Sequence, residues 1–583
     1  MLPNVTYAHA PVRVRAADSI IPNSVRCNEY SLLLDVFFGI IEQMGEANMA
    51  KATVYEKYYE DGILRLTKKR KKGIFSFFFS RFWILFLLMV LQIVVFVSFL
   101  DWLEDFKPAF RVIIGLFMIA MLVYLFASDI DASSKLTWLF FIAIIPIPSS
   151  IFLFYTRMGF GHRRIKERVE ALTAETLHSI PQDPAVTAAL ADADGGVDAL
   201  VRCIGHSGCF PAYEGEETVY FPTGEAFFEE VLTEIAKAEK FIFLESYIIG
   251  EGYMWGKVLE ILMQKAAAGV DVRVMYDGMC GVSILPMDYD ARLRSFGIRA
   301  KEFAPIRPIV SSRYNFRDHR KILIVDGRTA FTGGINFADE YINRIERFGV
   351  WKDAGLMVRG EAVRSFTLMF LQMWNIDEET PVWKPFVSAP GAENASAAAR
   401  NGFVIPYADC PMDDYKVGET VYVDILNRAK HYVYIMTPYL VLDGETEGAL
   451  KYAAQRGVDV RLILPGIPDK KYAYALAKSY YRVLLDAGVK IYEYTPGFVH
   501  AKVFLCDDER AVVGSVNLDY RSLYHNYECA TYLYRVAEAI GGVREDFTKT
   551  MGECREVTHE TIKKEKKGFV FLGFLMRFIA PLI

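Results

Sequence analysis

At 583 residues, with 52% apolar and 14% aromatic side chains, the chain is too long for one ordinary domain, and its apolar content suffices for a large core and a membrane region. The net charge of -5 is weak and argues against a chain-wide nucleic-acid footprint. Eight cysteines form no C-x-x-C pair and no Cys/His cluster with zinc spacing, so they read as reduced, incidental thiols facing the cytosol.

Residues 1–48 hold no cationic segment followed by an apolar core and cleavage site, so a cleaved signal peptide is not expected. Their apolar run at 31–41 is too short to cross a bilayer, and a start at Met49 would make the segment an extension. Residues 49–160 read as a membrane anchor with three apolar stretches, 82–100, 112–127 and 136–155. The first is long enough to span, the second is shorter, and Pro146 and Pro148 kink the third or open it into a hairpin. Basic clusters precede the first stretch (Lys68, Lys69, Arg70, Lys71, Lys72) and follow the third (Arg163, Arg164, Lys166, Arg168). Basic flanks prefer the cytoplasm, so two true spans are expected, with one segment re-entrant or interfacial. Residues 161–215 read as a linker.

The rest is an internal repeat, 216–386 and 403–560, joined by an Ala/Ser/Gly-rich flexible connector at 387–402. Glu217-Thr-Val-Tyr220 recurs as Glu419-Thr-Val-Tyr422, and Gly269-Val-Asp-Val-Arg273 as Gly457-Val-Asp-Val-Arg461. Phe241-Ile-Phe-Leu-Glu-Ser-Tyr247 resembles Val433-Tyr-Ile-Met-Thr-Pro-Tyr439, which matches Tyr247 with Tyr439, either lining a pocket or packing the core. Each copy reads as helix, apolar strand, helix, β-branched strand: an α/β unit with a buried sheet, doubled into a pseudo-dimer.

The chemistry repeats best. His319-Arg-Lys321-Ile-Leu-Ile-Val-Asp326 and His500-Ala-Lys502-Val-Phe-Leu-Cys-Asp507 are both H-x-K-x4-D, and Asn336 and Asn517 each follow their histidine by 17 residues. On a strand, residues i and i+2 share a face, so each His points with its Lys. A turn after Asp326 or Asp507 returns the chain and carries each Asn back toward that pair. Imidazoles titrate near working pH, and ammonium groups neutralise charge spreading over phosphate oxygens, so no metal or cofactor is expected. His206 and His525 have no role in this pattern.

Over residues 216–560 this arrangement resembles the phospholipase D superfamily, in which two halves meet to form one site. The resemblance implies a catalytic set of His319, Lys321, Asp326, His500, Lys502 and Asp507, with His319 the nucleophile because the family usually uses the first-half histidine. It implies that Lys321, Asn336, Lys502 and Asn517 bind the substrate phosphate. Asp353 and Glu528, downstream of the respective motifs, match the family's orienting carboxylates. By position and spacing alone, Asp326 and Asp507 sit at the strand end and read as turn-fixing residues.

Lys135-Leu-Thr-Trp138, Ile145-Pro146 and Phe154-Tyr155 resemble the membrane segment of bacterial cardiolipin synthases. So does the tail at 561–583, where four lysines precede an aromatic-rich segment that reads as interfacial. This second resemblance implies a multi-pass cell-membrane enzyme with cytoplasmic catalytic halves. It would act on phosphatidylglycerol and other anionic phospholipids, with no nucleic-acid partner. Its reaction would join two phosphatidylglycerols into cardiolipin through a phosphohistidine. A membrane-bound phospholipase D and, further off, a membrane-tethered nuclease are the alternatives.

Overall fold

Two sheets with the same strand order carry the molecule. A computed structural model describes residues 55–67, 94, 107–128, 130–157, 163–306, 315–388 and 402–582. Residues 1–48, the apolar stretch at 82–100 apart from Val94, and nearly all of the connector at 387–402 lie outside the described residues. The chain from Lys57 to Ile583 forms one contact unit.

In the first half the strands are β1 (Glu217–Phe221), β2 (Phe241–Ser246), β3 (Asp271–Asp277), β4 (Arg299–Phe303), β5 (Lys321–Val325), β6 (Thr329–Gly333), β7 (Val350–Lys352) and β8 (Gly355–Arg359). The main sheet runs β1-β8-β6-β5-β2-β3-β4. Its last three strands are parallel and the others antiparallel. The second half contributes β9 (Phe403–Asp409), β10 (Tyr432–Met436), β11 (Asp459–Pro465), β12 (Lys490–Tyr494), β13 (Gly497–Val499), β14 (Val503–Cys506), β15 (Arg510–Gly514) and β16 (Asn526–Tyr534). These run β9-β16-β15-β14-β10-β11-β12, the same order with the same sense of pairing. Strands β2, β5, β6, β14 and β15 are buried along their whole length, which is why they read as continuous apolar runs rather than alternating ones.

Strand register corrects two of the sequence matches. Glu217-Thr-Val-Tyr220 lies in strand β1, but Glu419-Thr-Val-Tyr422 lies in a helix, Val417–Arg428, so that tetrapeptide is not a structural repeat. Lys321 opposes Ser246, and Val503, the residue after Lys502, opposes Met436. That register aligns Ser246 with Thr437, one residue away from the sequence match. Tyr247 therefore corresponds to Pro438, and Tyr439 to Ile248.

The two halves are stitched by short parallel pairings. β7 pairs with β13, and Arg317–Asp318 pairs with Asn526 and Tyr527 at the start of β16. The His319 amide donates to Tyr527 O at 2.9 Å, and the His500 amide to Lys352 O at 2.7 Å. Each histidine is thus registered against the residue preceding the other half's carboxylate.

Ahead of the sheets lie helices α1 (Lys107–Ala127), α2 (Ala132–Ile144) and α3 (Pro146–Arg157). Among the described residues no helix is long and apolar enough to cross a membrane. The third apolar stretch is two helices that break at Ile145, where Pro146 opens α3 at a position that needs no amide donor. Met121, Leu125, Trp138, Ile142 and Leu153 bind α1–α3 together, while Leu116, Phe126, Leu136 and Phe152 remain exposed.

The C-terminal tail forms helix α5 (Lys567–Ile579), which docks on α4 (Lys471–Asp486). Gly573 permits the contact: a Cβ there would lie 2.2 Å from Ala475 O. Phe578 O accepts from Thr137 Oγ1 at 2.7 Å, and its ring stacks on Phe140 of α2 at 5.4 Å. The opposite face, with Phe571, Phe574 and Leu575, is exposed. The tail is both a docked helix and an apolar surface, and that surface is continued by α2.

Candidate active site

His319 and His500 open onto one cleft of about 560 Å³, within the range of small-molecule sites. Asn336, Asn517, Tyr247 and Tyr439 also line it. Both tyrosines therefore face the site, although they are not equivalent in the repeat; the Tyr247 ring meets His319 edge-on at 4.9 Å.

Each histidine is oriented by a carboxylate from the opposite half. His319 Nδ1 lies 2.9 Å from Glu528 Oε2, and His500 Nδ1 lies 2.7 Å from Asp353 Oδ2. A proton on Nδ1 donated to the acid leaves Nε2 as the nitrogen free for chemistry in the cleft. Both acids are fully buried. Glu528 is further held by Asn526 Nδ2 at 3.1 Å and by the Ser515 hydroxyl, and Asp353 by the Ala354 amide at 2.9 Å.

The two pairs differ electrostatically. Burial lifts Glu528 to about 7. Burial also works to raise Asp353, but His500 and Lys502 outweigh it and keep this carboxylate below its usual value. Burial and the neighbouring lysines hold His319 well below the ordinary imidazole range and His500 down to about 4.

Lys321 and Lys502 are buried beside their histidines, and each Nζ donates to the carbonyl of the histidine two residues back. Lys502 Nζ also lies 2.9 Å from His500 Nδ1. Burial lowers Lys321 to about 8 and Lys502 to about 7. Asn336 Oδ1 accepts from the Ile248 amide at 3.0 Å, and its Nδ2 donates to Tyr341 OH at 2.7 Å. Asn517 Nδ2 donates to Ser522 Oγ at 3.0 Å, the same relation five residues on.

Asp326 and Asp507, which the resemblance places in the catalytic set, hold backbone amides away from the cleft lining. Asp326 accepts from the amides of Glu239, Lys240 and Phe241 at 2.7–2.8 Å, and Asp507 from those of Lys430, His431 and Tyr432 at 2.7–2.9 Å. They cap the entrances of β2 and β10, five residues or about 16 Å of extended strand from the lysines. Both have positive φ, 54° and 53°, a turn geometry that aspartate tolerates. His525 is half-buried and absent from the cleft lining.

Several cleft residues carry no motif signal. Lys470 Nζ lies 3.0 Å from Tyr439 OH and 3.5 Å from Asp469, while Arg347 pairs with Glu340 at 2.8 Å. Trp351 and Phe498 pack around His500. None of these repeats between the halves, which is why self-comparison passes over them.

The family model "Cardiolipin synthase, PLD-like domain" matches residues 231–374 and 422–551. The crystal structure of phosphatidylserine synthase from Haemophilus influenzae Rd KW20 has the same fold, with a TM-score of 0.50 and 16% identity over 64% of this chain and 94% of that one. Doubled sheets of this fold, with a His and an Asn from each half on one cleft and a buried Lys beside each His, taken with that family match, mark a phosphatidyltransferase of the phospholipase D type. Cardiolipin synthases of Halalkalibacterium halodurans and Geobacillus kaustophilus are 30% and 32% identical over 86% and 83% of this chain, covering 100% and 95% of their own lengths. An uncharacterised protein of Streptococcus mutans is 51% identical over 80% of this chain and 100% of its own. The chain belongs to the cardiolipin synthase family.

Proposed function

We propose that the protein transfers a phosphatidyl group from one phosphatidylglycerol to another, giving cardiolipin and glycerol. The observation that carries this reading is the pair of carboxylate-oriented histidines on a single cleft. His319 Nε2 attacks phosphorus, the phosphorus–oxygen bond to glycerol breaks, and His500 gives its Nε2 proton to the departing oxygen. A second phosphatidylglycerol hydroxyl then yields its proton to His500 and attacks the phosphohistidine, freeing His319.

The unequal carboxylates support that division of labour. Asp353, firmly ionised, favours the imidazolium that His500 must become. Burial weakens the hold of Glu528 on a charged ring, and the lysines around His319 favour the neutral imidazole a nucleophile needs; the ionised acid accepts Nδ1–H and leaves Nε2 free to attack. An incoming phosphodiester anion counters the lysine charge that keeps His500 neutral in the empty cleft. Lys321, Lys502, Asn336 and Asn517 stabilise the non-bridging oxygens.

The exposed apolar surface of α1–α3 and α5 supports seating at a lipid bilayer, with Ala580 just past α5 on the cleft lining. In this reading the N-terminal region anchors the protein in the cell membrane through two spans, with both catalytic halves cytoplasmic. Proximity to lipid alcohols and exclusion of water then favour transfer over hydrolysis. Purified protein incubated with phosphatidylglycerol should yield cardiolipin and glycerol by mass spectrometry; phosphatidic acid without cardiolipin would overturn the proposal. Reporter fusions after residue 130 test the topology.

A further inference from the structure

The two halves build the same sheet, but they do not build the same cleft wall. Strands β3 and β11 align through Gly269-Val-Asp-Val-Arg273 and Gly457-Val-Asp-Val-Arg461. Both end at a glycine, Gly278 or Gly466, pressed against the backbone beyond the neighbouring strand; an added Cβ would meet Ala304 O at 2.6 Å or Tyr494 O at 2.3 Å. The residues that follow diverge. In the first half Met279, Cys280 and Ile284 line the cleft, an apolar wall with Met279 and Ile284 exposed. In the second half the same turn carries Asp469 and Lys470, and both line the cleft. Counting on from the paired glycines, Asp469 and Lys470 stand where the first half has Gly281 and Val282.

The reaction proposed above is itself asymmetric. The donor lipid brings the reacting phosphorus, which Lys321 and Lys502 serve. The acceptor lipid brings a hydroxyl and, three carbons from it, a second phosphodiester that takes no part in the chemistry. That second anion enters a site already crowded with one phosphate, and it needs a cation of its own.

The geometry points to Lys470 as the group that binds the phosphate of the acceptor phosphatidylglycerol, with the apolar wall of Met279 and Ile284 left to the donor. The lysine is suited to the task. Its side chain is 47% exposed, so the ammonium remains hydrated and available. It lies 4.7 Å above the Tyr439 ring and 3.0 Å from the Tyr439 hydroxyl, which donates to Asp469 at 2.6 Å. Asp469 forms a long ion pair with the ammonium at 3.5 Å, which tethers it. Of the other cleft-lining cations among the described residues, Arg347 is paired with Glu340, and Arg521 is engaged by the carbonyl and side chain of Asn315. Lys470 is thus a positioning residue for one of the two lipids, and it rests on the reading of the reaction given above.

Ethanol separates the roles, because it accepts a phosphatidyl group and carries no phosphate. Full-length protein in phosphatidylglycerol vesicles containing ethanol should form both cardiolipin and phosphatidylethanol. In Lys470→Gln the ratio of cardiolipin to phosphatidylethanol should fall about tenfold, with KM for phosphatidylglycerol as acceptor raised, and Lys470→Arg should restore most of the ratio. An unchanged ratio, whether both products fall together or neither does, overturns the assignment. A wild type that forms phosphatidylethanol but no cardiolipin overturns the proposed reaction between two phosphatidylglycerols, a different and recognisable result. Lys470 is half-exposed, so its substitution should leave the fold intact, and an unchanged melting temperature checks this.

Discussion

His500 Nδ1 and Asp353 Oδ2, 147 residues apart in sequence and from opposite halves, lie 2.7 Å from each other. The reciprocal pair, His319 and Glu528, spans 209 residues at 2.9 Å. Because the His500 amide also bonds to Lys352 O and the His319 amide to Tyr527 O, orienting each imidazole and closing the two halves are one event. Neither half can present a properly held histidine alone.

Crossed pairing predicts separable lesions. Asp353→Asn removes the charge that stabilises imidazolium at His500, so it should impair leaving-group protonation, lowering kcat about 10²–10⁴-fold. Glu528→Gln acts on His319 and should slow attack. A phosphatidyl donor with a good leaving group such as p-nitrophenol needs no protonation, and it should rescue Asp353→Asn but not Glu528→Gln. Equal rescue of both variants would reverse or void the assignment of roles.

Gly334 makes one of these pairings possible. A Cβ there would lie 2.1 Å from Asp353 Oδ1 and 3.1 Å from His500 O, whereas the equivalent position in the second half is Ser515, whose hydroxyl binds Glu528. The shorter acid sits against the smaller residue. Gly334→Ala should push Asp353 off His500, with a loss of about 10²-fold in kcat and about 1–3 kcal/mol of overpacking. Ser515→Gly removes a hydrogen bond without a clash and should cost about tenfold or less. Steady-state kinetics with thermal melts decides; parity between the two variants would contradict the packing argument.

How much of this was legible in sequence follows from the range of the interactions. The His-Lys pairing and the returning asparagine come from strand alternation and a tight turn, both local; the structure places each lysine beside its histidine and both asparagines on the cleft. The repeat came through as composition but not as register. Glu-Thr-Val-Tyr suits strand or helix equally, so β1 and the helix Val417–Arg428 could share it, and only the sheet fixes which residues correspond. Tyr247 and Tyr439 were matched one residue out of register for the same reason. That each acid serves the opposite half is carried by contacts across the junction, and no spacing encodes it. Lys470 has no counterpart in the first half, so a search for repetition cannot find it.

The last letter of the motif is structural. Asp326 and Asp507 each accept three amides at the entrance of a central strand. Asp326→Ala or Asp507→Ala should remove three amide bonds to a charged acceptor, most of them open to water, and destabilise the fold by about 1 kcal/mol. Specific activity per folded molecule should stay within about twofold of wild type at a temperature well below melting. A loss of several hundred-fold in fully folded protein would return these residues to the chemistry.

The buried lysines predict activity and stability moving in opposite directions with pH. Burial lowers Lys502 to about 7 and Lys321 to about 8 from an unfolded value near 10.5. As pH rises through 7–8 the free enzyme loses the ammonium charges that serve the reacting phosphate, so kcat/KM should fall on that limb. From about pH 7 to 10.5 the unfolded chain holds more protons on these two lysines than the folded one. Their contribution to folding stability therefore increases with pH across the same window. His500, lowered to about 4, is neutral in the folded free enzyme throughout and adds nothing to the stability change across this window. Lys502→Arg, charged at all these values, should move the activity limb upward, and Lys502→Met should flatten part of the rise in melting temperature. Activity that stays level to pH 9, or a melting temperature that falls along with it, would mean the two ammonium groups are not desolvated as the cleft implies.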